Sequence, residues 1–127
     1  MKKTFAVGRV VTALPVMFLA FDGVIKLLPI APVVESFSTL GYPASLAIAI
    51  GSLELLCLLV YVTPPTSILG AILLTGFLGG AVATHVRVGD PLFSHSLFPI
   101  YVGILIWAGL FLRDDRLRAL IPLRTKA

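Results

Sequence analysis

Residues 43–62 read PASLAIAIGSLELLCLLVYV, a run in which Glu54 is the only charged side chain. About 20 predominantly apolar residues, coiled as a helix, match the hydrocarbon thickness of a bilayer. An ionisable group placed there costs roughly 2.5–3.5 kcal/mol on insertion scales. Such a run carries a glutamate only where the side chain faces protein, water or an opposite charge.

Similar runs lie on either side. The first spans about 8–28 and stops at Pro29, the third about 67–88, and the fourth about 97–112. Thr63-Pro64-Pro65-Thr66 predicts a tight turn between the second and third, because proline ends one helix and can begin the next. Residues 30–42, with Pro32, Glu35, Ser36 and Gly41, read as an outer loop with room for a short interfacial helix. Residues 89–96 form another loop. The tail, 113–127, is charged and reads as cytoplasmic, with a short surface helix.

Composition agrees with this division. Of 127 residues, 58% are hydrophobic and 13% charged, and the mean hydropathy is +1.06. Soluble domains carry about 25% charged residues, so the deficit places the chain in the membrane class. The length allows one domain, 1–127. The formal charge of +4 does not point to nucleic acid, since the basic residues form no arginine- or aromatic-studded stripe. Cys57, the only cysteine, excludes an internal disulfide and a cysteine zinc site. The segment Phe18-Leu19-Ala20-Phe21-Asp22 lacks the small-residue pattern of a signal cleavage site, so the first run reads as an uncleaved membrane helix.

Eight of the ten basic residues are Lys2, Lys3, Arg9, Arg113, Arg116, Arg118, Arg124 and Lys126, which flank the first and fourth runs. The positive-inside rule then predicts both termini cytoplasmic, which requires an even number of spans. The expected fold is an all-α integral membrane protein, a four-transmembrane-helix bundle, in a prokaryotic cytoplasmic membrane.

Orientation converts sequence position into depth. Asp22, Lys26, Glu54, His85 and Arg87 all fall between the membrane centre and its outer face. They are expected to meet there as a polar cluster. Asp22 and Lys26, spaced i, i+4, share a helix face and can pair. Lys26 can also neutralise Glu54, and His85 can bond either acid. Three readings stay open: structural pairing between helices, a ligand or proton-handling site, and simple interfacial placement. No ligand spacing supports a metal, and two outer-side histidines do not make a transmembrane haem pair. Gly76 and Gly80 form a G-x-x-x-G pair with Thr84 on the same face, expected to pack helices, within the chain in preference to between copies. Ala47 and Gly51 form a weaker pair. Tyr42, Tyr61, Tyr101 and Trp107 read as packing or interface residues.

Four segments together resemble one family. They are Gly23-Val24-Ile25-Lys26-Leu27, Leu40-Gly41-Tyr42-Pro43, Gly51-Ser52-Leu53-Glu54-Leu55, and the stretch from Gly80 through Thr84, His85 and Arg87 to Pro91. In order and spacing they resemble the DoxX-like family, over about Val11 to Arg113. The resemblance implies a four-helix membrane bundle. Its relatives include a small subunit of an archaeal thiosulfate:quinone oxidoreductase, bacterial proteins linked to oxidative stress, and distant animal membrane chaperones. The family's recurrent Lys and Glu fall on Lys26 and Glu54, and its His on His85. Asp22 departs from the pattern, where many relatives carry a small or apolar residue. Membership of a fold family does not make the chain an enzyme.

Two functions of different class follow. In the first, the outer-half pocket binds a lipophilic ligand such as a quinone, as part of a redox system. Lys26 and His85 would donate to carbonyl oxygens and a carboxylate would accept a proton. No intrinsic cofactor is expected, so electrons would come from a redox partner protein. In the second, the chain is a non-catalytic accessory or assembly subunit whose buried charges are structural. The bilayer, a membrane partner protein and a second copy of the chain are the expected partners. A transporter is disfavoured by the lack of an internal repeat or broken-helix pair.

Overall fold

A computed structural model describes residues 2–120. The tail positions Arg124 and Lys126, expected as cytoplasmic anchors, lie outside the described residues. All regular structure among the described residues is helical. In hydrocarbon the backbone must satisfy its own hydrogen bonds, which a helix does within one segment.

Helix α1 spans Lys2–Lys26, α2 Ala31–Thr39, α3 Leu46–Val62, α4 Ser67–Arg87, α5 Phe98–Arg113 and α6 Asp115–Leu120. Helix α1 starts six residues before the expected Gly8, because Lys2 and Lys3 are good helix formers and do not interrupt it. The short helix anticipated between the first two runs is α2, with Pro32 in its first turn. The double-proline turn is a single 3₁₀ turn, Pro64–Thr66, and a π-type turn, Leu92–Ser96, leads into α5.

Four helices form a closed ring: α1 packs on α3 and α5, and α4 packs on the same two, while α2 lies on α3. The ring encloses Leu19, Leu58, Tyr61, Leu74, Ile106 and Leu110. Tyr61 is fully buried, and its hydroxyl donates to the Ile106 carbonyl at 2.7 Å, bolting α3 to α5. The outward faces are as apolar as this core. Met17 and Phe21 are 70% and 68% exposed on α1, and Ile48, Leu56 and Leu59 project outward from α3. A protein facing water rarely exposes so continuous an apolar surface. Three segments, Lys2–Lys26, Pro64–Arg87 and Leu92–Arg113, are long and apolar enough to cross a membrane. Helix α3 is apolar over 17 residues.

At the end of α5 the chain breaks at Asp114. Its carboxylate accepts from the Arg116 backbone N–H at 2.9 Å, capping α6, and from the Arg116 guanidinium at 2.8 Å. Arg116 also donates to the Pro64 carbonyl at 3.0 Å, tying α6 to the α3–α4 turn. The hydrogen bond from the Arg116 side chain, foremost, holds the Asp114 carboxyl below the usual carboxylate range. A depressed acid stabilises the fold above its unfolded value of about 3.9 and loses that contribution as pH falls through the lower folded value. Asp114→Ala is therefore expected to cost about 1 kcal/mol at pH 7. Below pH 4 the melting difference from wild type should shrink. A difference that grows with acid would contradict the pairing.

Candidate functional site

The site begins where α1 and α3 cross. A Cβ on Gly51 would lie 2.8 Å from the Gly23 carbonyl oxygen and 2.8 Å from Lys26 Cβ. Only glycine permits that approach, and it brings the side chains one turn away within reach. On α3 the buried positions Ala47, Gly51, Glu54, Leu58 and Tyr61 recur every three to four residues. Glu54 thus sits in the middle of the inward stripe and is 0% exposed.

Helical side chains lean toward the N-terminus of their own helix. Lys26, at the end of α1, folds back accordingly. Its Nζ donates to Asp22 Oδ2 at 2.6 Å and to Glu54 Oε1 at 2.9 Å. The ammonium also lies 5.5 Å from the centre of the Phe77 ring, a cation–π distance. One ammonium thus serves two carboxylates, leaving a formal excess of one negative charge. Glu54 Oε2 is buried with no hydrogen-bond partner among the described residues.

These three residues line a cavity of about 490 Å³ bounded by α1, α3, α4 and α5, with α2 over one end. Phe18, Phe77 and Phe98 supply apolar wall. Exposed Leu53, Gly76 and Gly80 lie on its rim. Nothing comes within 4 Å of a Cβ built on Gly76 or Gly80. The expectation that this pair packs helices within the chain therefore fails: the missing side chains open the cavity instead. Close packing falls to other glycines, Gly8 against Leu112, Gly23 against Leu55 and Gly51 against Lys26.

The expected cluster of five is only partly assembled. His85 lines the same cavity, but its Nδ1 pairs with Asp90 Oδ2 at 2.5 Å and with neither Asp22 nor Glu54. The cause is local. Gly89, at φ +75°, ends α4 in a Schellman motif, with Gly89 N–H bonded to Val86 O and Asp90 N–H to His85 O. That turn sets Asp90 against His85 before any other helix competes. With Nδ1 donating, a neutral imidazole keeps Nε2 as an acceptor.

Arg87 is absent from the cavity lining. It donates to the Leu40 carbonyl at 2.6 Å and lies 5.9 Å from the centre of the Tyr42 ring. It thereby latches the α2–α3 linker onto α4. The linker carries the second Schellman motif, at Gly41 with φ +81°, where Tyr42 N–H bonds Phe37 O and the two rings stand 6.3 Å apart.

Tyr42, read from the sequence as a packing or interface residue, and Thr84, read as continuing the Gly76–Gly80 packing face, both line the cavity. The Thr84 hydroxyl donates to Gly80 O at 2.8 Å, so it accepts from Tyr42 OH at 3.0 Å. Tyr42 oxygen then keeps a lone pair for a donor in the cavity. The signal for Thr84 was its place on the Gly76–Gly80 face, and that for Tyr42 its place in the Leu40-Gly41-Tyr42-Pro43 segment. Among the described residues no group of three or more His, Cys, Asp or Glu is placed to hold a metal ion.

The model of the DoxX-like family matches residues 10–109. No curated protein and no solved structure matches the chain. The match runs from within α1 to within α5, and the chain belongs to the DoxX-like family.

Proposed function

We propose that this DoxX-like membrane protein binds a lipid-soluble small molecule with polar oxygens, of the quinone class, in the cavity beside Glu54. One observation carries the reading: Glu54 Oε2 is wholly buried and, among the described residues, unpartnered. An orphaned buried polar atom costs roughly 1–3 kcal/mol, more when charged, and a ligand donor would relieve it. A quinol hydroxyl is such a donor. The remaining Lys26 proton suits a quinone carbonyl, and Tyr42 and His85 offer further polar contacts. The cavity volume of about 490 Å³ is that of a small-molecule pocket, and its aromatic walls suit a planar ring. Electron transfer to such a ligand would require a redox partner protein, so binding, not turnover, is the function proposed.

The same reading takes all four ring helices as spans, with both termini in the cytoplasm of a prokaryotic cell and 1–127 as one membrane domain. In support, Lys2, Lys3, Arg9, Arg113, Arg116 and Arg118 gather where α1 begins and α5 gives way to α6. Pro43–Ser45 precede α3 and add apolar length to its 17 residues.

A thermal-shift experiment tests the site. A short-chain ubiquinone analogue is expected to raise the melting temperature of the detergent-solubilised wild type. In Gly76→Leu the added side chain enters the open cavity. Stability should stay within about 0.5 kcal/mol of wild type, while the quinone-dependent rise is lost. Equal shifts in both proteins would sink the reading.

One observation favours the second reading, a non-catalytic accessory subunit. Asp22, Lys26 and Glu54 already pair within the chain, as structural glue would. Isolation in mild detergent would then return a reproducible membrane partner and show no quinone shift.

A further inference from the structure

We propose that the basic end of the bundle holds a second site, for the phosphate headgroup of an anionic phospholipid. A separate cavity of about 420 Å³ lies there, between α1, the α3–α4 turn and the α5–α6 junction. Arg9, Arg113 and Arg116 line it, with Asp114 as its one acid among the described residues. Arg116 is committed to Asp114 and to the Pro64 carbonyl. Arg113 is not so engaged. It is half-buried, its Nε donates to Thr12 Oγ1 at 2.9 Å, and its guanidinium lies 5.3 Å from the centre of the Tyr61 ring. These contacts hold the guanidinium in place, and among the described residues its two terminal nitrogens have no acceptor. Arg9 stands 4.8 Å over the Phe5 ring. Among the described residues neither Arg9 nor Arg113 is in a salt bridge.

Two guanidinium groups in one concavity, unpaired among the described residues, call for an anion with several oxygens. The planar guanidinium fork matches phosphate, and basic pockets between membrane helices suit anionic headgroups. A lipid is favoured over a free anion because the walls change character with depth. Ala13 and Val16, one and two turns beyond Arg9 on α1, continue the cavity as apolar surface, where an acyl chain of the same molecule would lie. The site sits at the opposite end of α1 from Lys26 and does not depend on the quinone reading.

The experiment uses the full chain in a non-ionic detergent, supplemented separately with phosphatidylglycerol, phosphatidylcholine or inorganic phosphate. Phosphatidylglycerol is expected to raise the melting temperature on the order of 5 °C, and the other two to leave it unchanged. Arg113→Gln should abolish the rise, and Arg9→Gln should at least halve it. Arg113 also braces Thr12 and Tyr61, so the exposed Arg9 keeps the test open if Arg113→Gln fails to fold. Gly76→Leu should retain the full rise, which separates this site from the first. An undiminished rise in Arg9→Gln, an equal rise with phosphatidylcholine, or no rise with phosphatidylglycerol would overturn the proposal. A rise with inorganic phosphate alone would also overturn it, by assigning the arginines to a free anion.

Discussion

Replacing Lys26 with methionine is expected to destabilise the folded chain by about 3–5 kcal/mol, the cost of breaking a buried ion pair from one side. The Lys26 ammonium is the cation that Asp22 and Glu54 share, at 2.6 and 2.9 Å. Without it two carboxylates face each other, and that of Glu54 has no access to solvent. Asp22 keeps 33% side-chain exposure and can turn outward, so the loss concentrates on Glu54. The double variant Lys26→Met/Glu54→Leu should recover most of the stability. Replacing a buried pair by apolar residues of similar volume is often neutral or stabilising. The measurement is a double-mutant cycle of unfolding free energies in one detergent. A Lys26→Met protein within 1 kcal/mol of wild type, with no recovery in the double variant, would show that the two side chains are not energetically coupled.

Gly51→Val is expected to cost about 1–3 kcal/mol, toward the upper end of that range, and to abolish quinone protection although Gly51 does not line the cavity. A Cβ there meets the Gly23 carbonyl oxygen at 2.8 Å, a backbone atom that yields only if α1 moves away from α3. Moving α1 stretches the 2.9 Å bond between Lys26 and Glu54 and disturbs the site from behind. Gly76→Leu makes the contrast, since the same kind of substitution there meets open space. Melting curves of the two variants should therefore separate, with Gly51→Val low and Gly76→Leu near wild type. The reverse order would mean that the close approach of α1 and α3 is not a feature of the native protein.

Much of the architecture was legible residue by residue. Helix α4 begins at Ser67, as expected from the double-proline turn, and ends at Arg87, one residue short of expectation. Helix α3 ends at Val62 as expected and begins at Leu46, after Pro43. The pairing of Lys26 with Asp22 could be read from i, i+4 spacing, and its pairing with Glu54 from the cost of a bare carboxylate in hydrocarbon. The same reasoning misplaced His85. A glycine-terminated helix end hands His85 its own partner five residues on, at Asp90, so the polar groups of the expected cluster are not all available to one another. His85-Val86-Arg87-Val88-Gly89-Asp90 contains that signal. Arg87 was drawn to a backbone carbonyl, Leu40 O, which no composition argument singles out.

The glycines divide the two kinds of knowledge most clearly. Sequence marked Gly76 and Gly80 for close packing by their spacing, yet spacing only says that two residues share a face of one helix. What stands opposite that face depends on how four rods are set in a ring, and there it is a cavity. Length and hydropathy are sums along the chain, so membrane class and helix positions were decided by the sequence alone. Cavity shape, and the Glu54 oxygen and the Arg9 and Arg113 guanidinium groups that stand unpaired among the described residues, arise from side chains far apart in the chain. Only the packing of whole helices against one another could decide which of them meet and which are left without a partner.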